Sequence, residues 1–231
     1  MGVFVNSFDL IFSLDSDLYE IIFLSLKVSI SALFISSIIS LPIAGIMAST
    51  NFFGKRVCVI FFNSMMALPP VFVGLVLYIL FSQTGPLGFF NILYTPSIMI
   101  IAQIIIILPV IISVSAESLE QIFNEYKEIF DTFDVSLSDR IKTTIFDAKL
   151  TLFTCLLTGL GRALSEVGAI IIVGGNIVHY TRVMTTTIAL ETSKGNLAMA
   201  MSLGIVLILI SVTLNAFVML MKAAAKKYSY D

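Results

Sequence analysis

Long apolar runs broken by short polar stretches set the pattern of this chain from residue 21 onward. Runs long enough to span about 30 Å of hydrocarbon lie at Ile21 to Ala48, Val57 to Phe81, Ser97 to Val114, Leu150 to Val173 and Leu197 to Met221. They predict an all-α integral membrane protein, with five transmembrane helices in one domain over 1–231. The first run is overlong, and Lys27 sits near enough to its outer end to snorkel towards the headgroups. Pro42, Pro69, Pro70 and Pro109 lie inside spans and are expected to kink or break them. Broken helices suit a transporter, where protein or a cavity satisfies the freed carbonyls, although proline also serves packing alone in spanning helices.

The longest polar interval, Glu117 to Lys149, has a pattern of its own. Leu119, Ile122, Phe123, Tyr126, Ile129, Phe130 and Phe133 recur at helical spacing, with Glu117, Glu120, Glu125, Glu128 and Asp131 opposite. This predicts an amphipathic helix that stops near Asp134, then a second helix capped by Ser138. A loop this apolar needs a partner, which is either the protein's own helix ends or a separate protein.

Composition agrees with a bilayer. Hydrophobic residues make up 58% of the chain, charged residues 12%, and mean hydropathy is +1.04. Charge then orients the spans, because Lys and Arg are retained in the cytoplasm. One side collects nine basic residues (Lys55, Arg56, Lys127, Arg140, Lys142, Lys149, Lys222, Lys226 and Lys227) against Arg182 and Lys194 on the other. The N-terminus is therefore expected outside and the C-terminus in the cytoplasm. Asp9, Asp15, Asp17 and Glu20 precede the first run with no basic n-region, which argues against a cleaved signal peptide. Cys58 and Cys155 sit in apolar runs and read as small core residues, and the single histidine, His179, reads as a solvated loop residue.

Chemistry concentrates in TGLGRALSEVGAIIIVGGNI, Thr158 to Ile177. Arg162 and Glu166 are four residues apart, so at helical spacing they lie on one face and can pair, while Gly159, Gly161, Ser165 and Gly168 allow close helix approach. An uncompensated arginine near the bilayer centre costs about 2.5–3.5 kcal/mol, so the pair faces protein or water. It is either a structural ion pair or part of an anion path. No G-x-x-x-x-G-K-[ST] phosphate loop occurs, so a pump built on this chain would take its energy from another subunit.

Four segments carry a resemblance. GRALSEVGAIIIVGGNI (Gly161 to Ile177) and TRVMTTTIALETSKGNLAMAMSLGIVL (Thr181 to Leu207) closely resemble the permease subunit of ABC importers for tungstate, within the molybdate, tungstate and sulfate group. SLKVSISALFISSIISLPIAG (Ser25 to Gly45) and GPLGFFNILYTPSIMIIAQ (Gly85 to Gln103) resemble the same permeases. In KEIFDTFDVS, Lys127 to Ser136, Glu128 matches the glutamate of that family's coupling loop. Ile129 and Phe130 stand for its two alanines, Asp134 for its usual glycine, and Asp147 for a downstream proline.

The resemblance implies a type I ABC importer core in the inner membrane and a homodimer of this chain. It also implies two cytoplasmic ABC ATPase subunits that use ATP and Mg, and an extracytoplasmic tungstate- or molybdate-binding protein. This chain would itself be non-catalytic, with no bound cofactor, no metal and no nucleic acid. Glu125, Glu128, Ile129, Phe130, Phe133, Asp134, Val135 and Ser136 would form the ATPase-coupling loop. Arg162, Ser165, Glu166, Gly168 and Asn176 would line the translocation path or its gate. The alternatives are an ATP-independent anion channel or secondary transporter, which five spans make hard to divide into equal halves, and a membrane scaffold docking through the amphipathic loop.

Overall fold

A computed structural model describes residues 2–13 and 15–228. The described chain is helical throughout: α1 (Gly2–Phe12), α2 (Ser16–Ser49), α3 (Lys55–Met65), α4 (Pro70–Phe81), α5 (Pro96–Thr132), α6 (Leu137–Asp147), α7 (Lys149–Leu164), α8 (Gly168–Gly174), α9 (Met184–Ser193) and α10 (Leu197–Tyr228). A single 3₁₀ turn, Gly88–Phe90, interrupts the loop between α4 and α5. Of these, α2, α5 and α10 are each long and apolar enough to cross a membrane. The pairs α3 with α4 and α6 with α7 bring the number to five if each bent pair is one span. The side chains of Lys222, Lys226 and Lys227, counted above for orientation, lie outside the described ones.

The prolines act unequally. Pro69 and Pro70 divide the second apolar run, with Pro69 as the N-cap of α4 and Pro70 in its first turn, where a missing N–H costs nothing. Pro42 and Pro109 lie inside α2 and α5, which continue through them. The fourth run is not one helix either. α7 ends at Leu164 and α8 begins at Gly168, and α6 meets α7 at a bend of 74°.

The chain forms two compact units. The first, residues 2–32, 68–105 and 161–213, buries Leu18, Ile98, Met99, Ile170, Met184 and Leu203. Within it α4 lies against α8 so closely that a Cβ on Gly74 would come 2.8 Å from Ala169 Cα. α1 is tied down in the same unit, because the buried Ser7 hydroxyl is 3.0 Å from the Ala198 carbonyl and Ser202 Oγ donates to the Ser7 carbonyl at 3.1 Å. The second unit, residues 33–67, 106–160 and 214–228, is built on Ala44, Met47, Ala48, Ile112, Ala116, Leu119, Ala148 and Leu152.

Exposed faces are apolar on most spans. Phe23, Ile30, Phe34 and Ile38 on α2, Val71, Phe72, Leu75 and Ile79 on α4, and Ile208, Leu209, Val212 and Leu220 on α10 all face outward, as lipid contact requires.

Candidate functional site

The loop after α5 turns on a residue other than glycine in a glycine conformation. Asp134 has φ 48°, in the left-handed region. Around it the Val135 N–H donates to the Phe130 carbonyl at 3.0 Å and the Asp134 N–H to the Asp131 carbonyl at 3.4 Å. This is the pair of bonds that closes a helix through a left-handed residue, the position where glycine is ordinarily found. α6 starts at once: Ser136 is its N-cap, with Oγ accepting from the Asp139 N–H at 3.3 Å. The cap is thus Ser136, not Ser138, because the left-handed turn ends two residues sooner than the polar pattern indicates. The Ser136 hydroxyl donates in return to Asp139 Oδ2 at 2.7 Å and, with Lys142, holds the Asp139 carboxyl below its ordinary value.

Arg140 secures this turn. Its Nε donates to the Val135 carbonyl at 2.8 Å, Nη2 to the Phe130 carbonyl at 3.1 Å and Nη1 to Asp131 Oδ1 at 2.6 Å. In the sequence Arg140 marks only membrane orientation. Its packing role depends on a turn geometry that spacing does not reveal.

The predicted amphipathic stripe divides into two parts. Leu119, Phe123 and Phe130 are buried, whereas Ile129 and Phe133 are 52% and 75% exposed, and Leu137 at the start of α6, outside that stripe, is 50% exposed. Glu125 and Glu128 are exposed beside them, as are Asp134 and Ser136. The inner part of the stripe is satisfied by the protein itself. The outer part, an apolar strip bordered by carboxylates, has no cover from this chain. Nearby, the Asp147 carboxylate raises the Tyr126 hydroxyl above its ordinary value.

The break between α7 and α8 separates Arg162 from Glu166. Among the described residues no ion pair joins them, since the helix that would stack one above the other stops at Leu164. Glu166 is 6% exposed, and its Oε1 accepts from the Ala169 N–H at 3.2 Å while its carbonyl accepts from the Thr185 hydroxyl at 2.7 Å. It therefore caps the first turn of α8. A Cβ at Gly168 would lie 2.5 Å from Val71 Cγ2, so this glycine serves packing. Asn176 (φ 50°) accepts from the Thr186 hydroxyl at 2.9 Å and orders the following loop. Ser165 is exposed and Arg162 half-buried.

Gln103 also belongs to this break. Its buried amide donates to the Ala163 carbonyl at 3.1 Å, one of the last of α7, and to Ser29 Oγ at 3.3 Å. A glutamine in an otherwise apolar span was the available signal. The cavity lined by Ser25, Ser29, Gln103, Glu166 and Thr185 is only about 10 Å³, room for one water and far too small for a tetrahedral oxyanion.

His179 is paired rather than merely solvated. Its Nδ1 is 2.6 Å from Glu20 Oε2, and Asp17 lies in the same exposed group at the mouth of a cavity of about 360 Å³ that Arg182 and Glu191 also line. The Glu20 bond and charge hold the His179 imidazole above its ordinary value. With the partners 159 positions apart in the chain, no local pattern could show the contact.

No protein-family model matches the chain. Curated relatives do. It is 40% identical over 215 residues to the tungstate uptake system permease protein TupB of Peptoclostridium acidaminophilum, covering 93% of this chain and 94% of that one. It is 37% identical over 161 residues to the TupB of Campylobacter jejuni, covering 70% and 67%. It is 36% identical over 204 residues to a probable anion ABC transporter permease protein of Haloferax volcanii, covering 86% and 88%. The chain belongs to the oxyanion ABC transporter permease family. It is a multi-pass membrane permease subunit and not itself a catalyst.

The left-handed φ of 48° at Asp134 is the backbone conformation in which glycine is ordinarily found.

Proposed function

We propose that this chain is the membrane-spanning subunit of an ATP-driven importer for tungstate or the near-isosteric molybdate. It works as a homodimer with two cytoplasmic ATPase subunits and an extracytoplasmic binding protein. The observation that carries this reading is the 40% identity to a tungstate uptake permease across 94% of that protein's length. ATP and Mg belong to the partner ATPase, since this chain has no phosphate loop of its own. The basic residues at the span ends support an N-terminus outside and a cytoplasmic C-terminus.

The exposed strip of Ile129, Phe133 and Leu137 is the docking element for the ATPase in this reading, with Glu125 and Glu128 at its border and Phe130, Asp134, Val135 and Ser136 holding its shape. Arg162 and Ser165 meet the anion, while Glu166, Gly168 and Asn176 build the broken span that presents them. Selection between tungstate and molybdate falls mainly to the binding protein.

The test is ATP hydrolysis by the assembled complex in lipid discs, with tungstate-loaded binding protein, empty binding protein and none. Stimulation by the loaded form is expected, and its loss is expected when Ile129 and Phe133 are replaced. If no ATPase co-purifies and the chain alone exchanges anions, the importer reading is replaced by a secondary transporter.

A further inference from the structure

α7 differs from α2, α4 and α10 in what it exposes. Between Phe146 and Ile171 no large apolar side chain is exposed, although α2, α4 and α10 each present several. What α7 shows instead is Thr151, Thr158 and Gly161, with Thr154 and Arg162 half-buried beside them. Ser165 continues the face just past the helix end, its N–H still bonded to the Gly161 carbonyl at 3.1 Å. At 3.6 residues per turn these six positions fall within a sector of about 100°, and from Thr151 to Arg162 they extend about 16 Å along one helix. The opposite side is buried: Leu152, Leu160, Ala163 and Leu164. A Cβ on Gly161 would meet nothing within 4 Å, so the face opens outward.

Threonine alone does not demand water. The Thr154 and Thr158 hydroxyls donate to the Leu150 and Thr154 carbonyls, both at 3.1 Å, and a hydroxyl bonded in this way is tolerated against lipid. Arg162 has no such recourse. Its side chain makes no hydrogen bond or ion pair among the described residues, and its five donors cannot be left in hydrocarbon. Water on this face would satisfy the arginine. It would also make the hydroxyls useful, because each can rotate to donate to a hydrated oxyanion.

We propose that the face Thr151, Thr154, Thr158, Arg162 and Ser165 lines a water-filled anion path, with the threonine hydroxyls as weak, serial oxyanion contacts and Arg162 as the charge that admits anions and turns cations away. The proposal rests on the importer reading and extends it to residues that the sequence pattern passed over. Neutral hydroxyls in series suit transit, since a dianion is guided past them without being held.

The test is thiol labelling of Thr151→Cys, Thr158→Cys and, as a lipid-facing control, Leu209→Cys in the reconstituted complex. Labelling is counted above the parent chain, whose own Cys155 is buried. Both α7 thiols are expected to react with small charged, membrane-impermeant reagents, and Leu209→Cys only with an apolar maleimide. At Thr158→Cys the anionic reagent should react about tenfold faster than its cationic counterpart, the ratio that about 1.4 kcal/mol of field from one positive charge gives. Arg162→Gln should bring that ratio near one. Charged reagents that fail at both α7 sites while apolar maleimide succeeds, or failure of both kinds, would place the face in lipid or in a subunit contact and overturn the proposal. Equal rates for the two charges would overturn the role of Arg162. ATP hydrolysis stimulated by loaded binding protein is read in the same preparation. Stimulation with unreactive α7 thiols rejects the path and keeps the importer, whereas anion-selective labelling without stimulation does the reverse.

Discussion

Arg140 and Phe130 are joined twice: Nη2 donates to the Phe130 carbonyl at 3.1 Å, and the guanidinium carbon lies 5.8 Å from the centre of the Phe130 ring. Phe130 is buried, so the contact fixes the point at which α5 stops and α6 departs. The two helix ends would otherwise be held by a single left-handed turn.

Arg140→Met removes three donors from that junction. The loss should be about 1–2 kcal/mol, at the lower end for charge-assisted bonds because Asp131 is partly exposed. Arg140→Lys should recover less than half of it, since a point charge cannot reach two carbonyls and a carboxylate together. Thermal unfolding of the detergent-solubilised chain measures both.

Replacing Asp134 separates backbone from charge. With φ at 48°, Asp134→Gly should leave the melting temperature almost unchanged, and Asp134→Val should cost about 1–2 kcal/mol because a β-branched residue is strained in that region. Equal melting of the two variants would show that the turn relaxes.

Ile129→Ser with Phe133→Ser changes exposed positions only. Stability should stay within about 0.5 kcal/mol of the parent, while co-purification with the partner ATPase and its stimulation by loaded binding protein should both be lost. A double variant that still couples would move docking elsewhere.

The His179 to Glu20 contact should depend on pH in one direction. The folded imidazole titrates above its unfolded value of about 6.5, so its stabilisation is complete below that pH and disappears as pH rises through the higher folded value. The melting difference between the parent and His179→Gln should therefore be largest near pH 6 and fall towards zero at alkaline pH. A difference that grows with pH would refute the pairing.

Much of the architecture is visible in local pattern. The apolar runs of α2, α5 and α10, the double proline before α4 and the helical spacing from Leu119 to Phe133 need nothing beyond the chain itself. Two short helices do not. α1 lies ahead of the first apolar run and no pattern there marks a helix until Ser7 is seen against α10, and α9 lies in what reads as an external loop. The break at Ser165 to Val167 is also illegible, because no proline marks it and Gly168 at its edge reads as a helix-packing residue. It is held by distant partners, the Thr185 hydroxyl on the Glu166 carbonyl and the Gln103 amide on that of Ala163. For the same reason the pairing of Arg162 with Glu166, natural on a continuous helix, does not form. Pro42 and Pro109 err in the other direction: each has a strong breaking propensity that its surroundings absorb.

Gly74 and Ala169 touch through backbone, with no side chain on one of them to yield. That contact limits how the protein can diverge. A saturation library at position 74 should return glycine almost alone, so a strict filter on inherited variation lies in the packing of α4 on α8.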